Sequence, residues 1–353
     1  MPFKLMAAAI MICAAFAPAH ANTTMDELVE AATQGGYENI TSILVAKDGK
    51  VLAEHYFGGR DADTLHNTRS VTKSLTSMAV GAAIYQGALL DEHERVFQFF
   101  GDVGPHDNMS DLKRGITVRD LMTMSSALAC NDNDPASPGY EDKMHERANW
   151  TEFVLNLPTM EGYARNEGGF GPFGYCTAGS FLIGQLLERA MGLSVDEFVD
   201  DALFGPLGIT RYEWYRSPSA EEQTGGGLLL STRSLWKVAE LVRAGGMWHG
   251  RRLLPKGWTN AMTSPQVSVD ETTSYGYLWW VGEFKSATTS AAYPAYYMAG
   301  NGGNKVVVIP SLKMVTVITS TNYNTRGMHA QTTEMLERYI LPAFERGAVH
   351  QGR

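Results

Sequence analysis

The chain has 353 residues, 44% hydrophobic and 19% charged, a balance that fits one large globular domain or two interlocked ones and excludes a disordered chain. A formal net charge of −9 and the absence of any basic run exclude non-specific nucleic-acid binding. Beyond the N-terminus no segment is apolar for long enough to span a bilayer.

Lys4, the apolar run Leu5 to Phe16 and the triplet Ala19-His20-Ala21 pattern as a secretory signal cleaved after Ala21. The mature chain is then expected to start near Asn22 and to be periplasmic or secreted. Two cysteines remain, Cys130 and Cys176, and an oxidising compartment favours a bridge between them over two separate buried thiols. Such a bridge closes a loop of about 46 residues, worth roughly 4 kcal/mol in the chain-entropy model.

Met25 to Ala32 reads as a short amphipathic helix. Ile43 to Ala46 and Val51 to Phe57 flank Asp48-Gly49 and predict a β-hairpin. Next comes Arg69-Ser70-Val71-Thr72-Lys73-Ser74, where a strand-like region passes into a helix. Three residues apart on a helix, Ser70 and Lys73 share one face. A serine hydroxyl needs a neighbouring base to become a nucleophile, and an amine one turn away can serve. The helix continues through Leu75 to Ile84, apolar nearly all round, so it is expected to be buried and to desolvate the Lys73 amine. Ser-x-x-Lys also occurs at Ser110/Lys113 and Ser234/Lys237, so the spacing alone does not select a site.

From Leu90 to about Ile209 helical pieces (Val118 to Met124, Trp150 to Leu155, Ala178 to Met191) alternate with Asp/Asn/Pro/Gly loops and no strand is evident. Asn131-Asp132-Asn133-Asp134-Pro135 lacks the glycine and closing glutamate of a calcium loop and reads as a solvated turn. Gly169 to Gly174 formally matches G-x-G-x-x-G, but it follows no strand and contains Pro172, which rules out a dinucleotide cradle. The loop that follows presents Tyr175, a phenol able to carry a proton if a cation lies beside it. Ser231-Thr232 cap a helix from Arg233 to Ala244. Strands are expected at Tyr275 to Val281, Tyr296 to Ala299, Lys305 to Ile309 and Met314 to Ser320, with a final helix from His329 to Phe344. Asn301-Gly302-Gly303 opens the third of these, and the Asn304 N–H is placed to join that of Ser70 as an oxyanion hole. The order predicts an α+β fold: an antiparallel sheet flanked by helices (residues 22–89 and 210–353) interrupted by a mostly helical domain (90–209).

Ser70-x-x-Lys73, Tyr175-x-Thr177 and Asn301-Gly302-Gly303 resemble, in order and separation, the three motifs of the serine β-lactamase and penicillin-binding-protein superfamily, most closely its class C-like branch. Ile116 to Met124 and Gly226-Gly227-Leu228 with Ser231-Thr232 also look like segments of that family. The resemblance implies a β-lactamase/transpeptidase-like fold, and an acyl-enzyme formed at Ser70 with Lys73 or Tyr175 as base. It implies no metal or organic cofactor, and a small ester, amide or lactam as substrate. Two departures stand out. Thr177 replaces the usual asparagine, which loosens the grip on a substrate amide, and Asn301 replaces the usual Lys or His that holds a substrate carboxylate. The turn at Pro310 to Lys313 sets Asn301 opposite about Asn322, which brings Arg326 forward as a substitute cation. Esters or small amides are therefore favoured over β-lactams and D-Ala-D-Ala peptides. A β-lactamase, a D-Ala-D-Ala carboxypeptidase and a non-catalytic peptidoglycan- or penicillin-binding relative are the alternatives.

Overall fold

A computed structural model describes residues 25–103 and 106–347, so the expected signal segment lies outside the described residues. Eight strands form one antiparallel sheet: β1 (Ile40–Lys47), β2 (Lys50–Tyr56), β3 (Val267–Ser268), β4 (Ser274–Tyr275), β5 (Trp280–Lys285), β6 (Ala292–Gly300), β7 (Asn304–Ile309) and β8 (Met314–Ser320). Their spatial order is β2-β1-β8-β7-β6-β5-β4-β3. The two ends of the chain meet inside the sheet, where β1 pairs with β8 from Ile40↔Ser320 to Lys47↔Met314. Asp48 and Gly49 turn β1 into β2 with φ of 50° and 75°, the left-handed pair that a two-residue hairpin requires.

Every residue of β7 and β8 is buried, as expected of strands covered on both faces. Alternate residues serve different cores. Ile43, Val45, Val307, Ile309 and Ile318 pack with helix α1 (Met25–Thr33) and the helical run from Met328 to Glu345. Leu44, Ala46, Val306, Val308 and Val317 pack with α2 (Val71–Gln86) on the other face, where α3 (Thr177–Met191) and α4 (Thr232–Arg243) also lie. Among the described residues no strand occurs between Asn67 and Tyr212, so helices and loops fill the middle of the chain.

Helix α2 is the central element of that second core: all thirteen residues from Val71 to Ala83 are buried. Gly81 lies so close to Trp258 that a Cβ there would sit 2.2 Å from the indole nitrogen. A small sheet absent from the sequence reading, His66–Asn67 with Leu228–Leu230 and Tyr212–Trp214, delivers the chain into α2. Two expected elements are interrupted. Tyr275 to Val281 breaks into β4 and β5 because the chain between them leaves the ladder to bond other elements. Tyr277 N donates to Met262 O at 2.9 Å and Leu278 N to Met122 O at 2.8 Å, while Ser74 Oγ of α2 donates to Leu278 O at 2.6 Å. The closing helix adopts a π-turn at Met335–Ile340, just ahead of Pro342, which has no N–H to give the carbonyl four residues back.

His66 lies buried in the small sheet, its Nδ1 3.3 Å from Thr41 Oγ1 and its Nε2 3.2 Å from Thr232 Oγ1. Burial, helped by the Arg60 charge, lowers its pKa from 6.5 to about 4. The unfolded chain therefore binds that proton at a higher pH than the folded one, so folding stability falls as the pH drops from 6.5 to about 4, by up to roughly 3 kcal/mol. Urea denaturation across that range should give a flatter stability curve for His66→Gln than for the wild type.

Candidate active site

Ser70 caps the N-terminus of α2, and Lys73 lies one turn further in with only 1% of its surface exposed. Lys73 Nζ has three oxygen partners: Ser70 Oγ at 3.0 Å, Thr177 Oγ1 at 2.8 Å and the Gly225 carbonyl at 2.5 Å. A carbonyl can only accept, and a buried amine nitrogen has four tetrahedral positions, one of them its own carbon. With one proton given to Gly225 O and one to Thr177 Oγ1, the last position faces Ser70 Oγ. There the amine donates when charged and accepts the serine proton when neutral. Gly225 is needed for this contact, because a Cβ would lie 2.7 Å from Thr177 Cγ2 and 2.9 Å from its carbonyl oxygen.

Tyr175 flanks the same ammonium. Lys73 Nζ sits 4.9 Å from the centre of its ring, and the other aromatic contacts include a stack on Trp280 at 5.8 Å and 21°. The cation thus meets the ring face, and the phenol makes no hydrogen bond to Ser70 or Lys73 among the described residues. Unliganded catalytic hydrogen bonds are commonly long and tighten with substrate. The segment carrying Tyr175 is clamped to the loop at 130–132. Cys130 and Cys176 form a disulfide, Asp132 N donates to Tyr175 O at 2.7 Å, and Thr177 N donates to Asp132 Oδ2 at 2.7 Å. Burial pushes the Asp132 carboxyl above its usual range, with the Lys73 charge pulling the other way.

Strand β6 ends against the nucleophile. At Gly300 a Cβ would lie 1.9 Å from Thr68 O and 3.2 Å from Ser70 N, so only glycine fits. Among the described residues neither the Ser70 N–H nor the N–H of Asn301, the residue after Gly300, has an acceptor. Ser70 and Asn301 open onto one cleft of about 640 Å³, bordered also by Arg69, Glu141, Trp150, Tyr215 and Asn324.

The family model of the Beta-lactamase family matches residues 22–339. The chain belongs to the β-lactamase family. It is 27% identical over 266 residues to a 6-aminohexanoate-dimer hydrolase of Paenarthrobacter ureafaciens, covering 68% of this chain and spanning 63% of the length of that relative. A Bacillus anthracis structure assigned as a 6-aminohexanoate-dimer hydrolase superposes with a TM-score of 0.73 at 16% identity, over 92% of this chain and 82% of the other. EstCE1, a hydrolase with promiscuous acyltransferase activity, superposes at 0.70 and 15% identity, over 89% of this chain and 98% of its own. At those identities the structural likeness speaks for the fold.

Within this β-lactamase-family framework several residues expected at the site lie elsewhere. Asn304 pairs with Gly300 across the turn and is 1% exposed; its amide donates to Asn301 O at 2.8 Å and accepts from Ser320 N at 3.0 Å. It braces the turn and does not border the cleft, because the close approach to Ser70 is made three to four residues earlier, at Gly300 and Asn301. Gly302 and Gly303, with φ of 93° and 87°, form the turn and pack beneath the Tyr323 ring and the Met328 carbonyl. Thr177 is buried at 1% exposure and its hydroxyl is bonded to Lys73 Nζ. Arg326 is exposed and borders no part of the cleft. The strand register is the expected one, Lys305↔Ile318 to Ile309↔Met314, but the Asn301 side chain reaches past Asn322. It donates to Asn324 Oδ1 at 2.6 Å and accepts from Asn324 N at 2.9 Å. Asp132, read as part of a solvated turn, is half-buried against the site. The Gly225-Gly226-Gly227 run was the available signal for a close backbone approach, and Gly225 supplies the carbonyl that binds Lys73. Nothing in the spacing pointed to Asp132.

Thr177→Val should leave one Lys73 N–H without an acceptor. The expected cost is about 1–3 kcal/mol of stability by urea denaturation, with a fall of about ten-fold or more in the rate of fluorophosphonate labelling. Replacing Cys130 and Cys176 together by alanine should lower stability by roughly 4 kcal/mol, through the longer loop left open in the unfolded chain. The midpoint of a denaturant titration measures it.

Proposed function

We propose that this chain is an exported serine hydrolase that works through an acyl-enzyme on an ester or small amide. The observation that carries the reading is the placement of Lys73 Nζ 3.0 Å from Ser70 Oγ, with its other two partners taken by Gly225 O and Thr177 Oγ1. In this reading Ser70 gives its proton to Lys73 and attacks a carbonyl carbon. The tetrahedral oxyanion is received by the backbone N–H groups of Ser70 and Asn301, with Asn301 taking the part first expected of Asn304. The proton passes to the leaving group, through Lys73 or the Tyr175 phenol, as the carbonyl re-forms. A water, deprotonated by the same pair, then releases the acyl group and returns Ser70 to its resting state. Lys73 Nζ lies 4.9 Å from the centre of the Tyr175 ring, close enough for the two to share the acid–base work.

The neutral Asn301, its amide already bonded to Asn324, supports an ester or amide over substrates held by a cation at that position. The 6-aminohexanoate-dimer hydrolase relative supports a linear amide as one member of the substrate class. The Cys130–Cys176 disulfide supports an oxidising compartment.

A fluorophosphonate probe should label the wild type and not Ser70→Ala. A panel of nitrophenyl esters, the linear 6-aminohexanoate dimer, nitrocefin and a D-Ala-D-Ala peptide should show turnover of the first two groups, abolished in Ser70→Ala. Equal labelling of the two proteins would refute the nucleophile, and turnover confined to nitrocefin would refute the substrate class.

A further inference from the structure

Arg69, immediately before the nucleophile, has a backbone φ of 54°, a left-handed conformation uncommon for a residue with a Cβ. The surroundings hold it there: Arg69 N donates to Asn67 Oδ1 at 3.1 Å, while Arg69 O accepts from Thr72 N at 3.0 Å and Thr72 Oγ1 at 2.8 Å. The side chain so directed lies over the Tyr323 ring, with its guanidinium carbon 4.6 Å from the ring centre. That ring is itself fixed, because the Tyr323 hydroxyl donates to Asn67 O at 2.7 Å. The guanidinium also hydrogen-bonds the Tyr323 phenol, and its five N–H groups leave donors over for a planar anion.

Arg69 is exposed, borders the cleft that contains Ser70, and forms no ion pair among the described residues. The other side chains along the cleft that can carry a positive charge are engaged. Arg216 is bound to Glu222 and to Asp196, each at 2.9 Å. The neutral Asn301 side chain is bonded to the side chain and the N–H of Asn324. His145 faces Glu141 at 3.7 Å. Glu141 and Asp142 also border the cleft and disfavour an anion on their side.

We propose that Arg69 is a specificity-determining residue that binds a carboxylate of the substrate, so that the esters or amides turned over are those carrying an anionic group near the scissile carbonyl. This inference rests on the acyl-enzyme reading and narrows its substrate class. The cation that the third motif lacks is supplied by the nucleophile's own segment, at a backbone angle that keeps it beside Ser70.

The test compares 4-nitrophenyl hemiglutarate with its uncharged analogue 4-nitrophenyl valerate on the mature wild-type chain, Arg69→Asn and Arg69→Lys. Asparagine accepts the left-handed backbone; Arg69→Gly, which suits it better still, replaces that variant if it misfolds. The readout is the ratio of kcat/KM for the anionic over the neutral ester, which cancels any general disturbance of Ser70. The ratio should fall about 10- to 100-fold in Arg69→Asn, the loss of a charge-assisted hydrogen bond, and be partly kept in Arg69→Lys. In the wild type it should also shrink as salt is raised to about 0.5 M. A ratio unchanged by Arg69→Asn, with both esters slowed alike or neither slowed, overturns the proposal. Fluorophosphonate labelling of Ser70 run in parallel separates the two claims. Labelling with an unchanged ratio removes the Arg69 assignment alone, whereas absence of labelling removes the hydrolase reading.

Discussion

An ammonium group taken out of water costs several kcal/mol unless every proton finds an acceptor. Lys73 meets that demand with one oxygen from its own helix, one from α3 and one from the loop at Gly225, three parts of the chain separated by more than a hundred and fifty residues end to end. The demand propagates outward. Thr177 has to start α3 where its hydroxyl reaches Nζ, which sets the position of Tyr175 two residues earlier. The Gly225 segment has to lie against α3 closely enough that Gly184 has no room for a Cβ, which would lie 2.5 Å from the Thr224 side chain. Thr224 Oγ1 then donates to Ser180 O at 2.9 Å and locks the two together. The glycines and hydroxyls around the site are best understood as what is required to bring three acceptors to one buried nitrogen.

The other two copies of the motif show why the spacing alone decides nothing. Lys113 is as buried as Lys73 and also has three acceptors, the carbonyls of Asp107, Leu155 and Leu157. Ser110 does not join them, because its hydroxyl accepts the Lys113 backbone N–H at 3.2 Å as a helix cap. Burial lowers the pKa of Lys113 to about 8, yet no hydroxyl stands ready to hand over a proton, so the amine ties loops together. Ser234 bonds to Ser231 in the cap of α4, and Lys237 donates to Gly208 O at 2.8 Å. Replacing one carbonyl acceptor by a serine hydroxyl at the edge of a cleft is the difference between a structural lysine and a candidate base.

How far the sequence could be read follows from the same distinction. Helix α2, the Asp48-Gly49 hairpin, β7 and β8 were legible because apolar pattern and turn chemistry are local properties of the chain. β6 was seen only from Tyr296, since Pro294 weakens the strand signal ahead of it. The small sheet went unseen because its strands are two or three residues long and owe their shape to one another. Ser70, Lys73 and Tyr175, which motif order brings forward from separate parts of the chain, lie together in space. Motif counting brings forward Asn304, past the glycine turn, whereas the tight contact with Ser70 is made before that turn, at Gly300. A close backbone approach is a tertiary fact: Gly300, Gly302 and Gly303 look alike in sequence, and only their neighbours tell them apart.

The charge arrangement around the base carries the argument one step further. Asp132 accepts the Thr177 N–H through one oxygen and the Glu141 N–H, at 3.1 Å, through the other, so both carboxylate oxygens are engaged by the backbone. The charge of Lys73, the same group that Thr177 binds, opposes the upward push that burial exerts on the Asp132 carboxyl. If the serine proton moves to Lys73, the new positive charge arises where Asp132 and the Tyr175 ring face already provide negative potential. In the proposed mechanism the oxyanion would develop beside the Ser70 N–H at the start of α2, the positive end of the helix dipole. Both halves of the charge separation are thus met by groups fixed before a substrate enters, by the disulfide and the backbone bonds of the 130–132 loop on one side and by the end of β6 on the other. Little has to reorganise when the proton moves, and that preorganisation is what a buried base at a helix N-terminus can offer over the same amine in water.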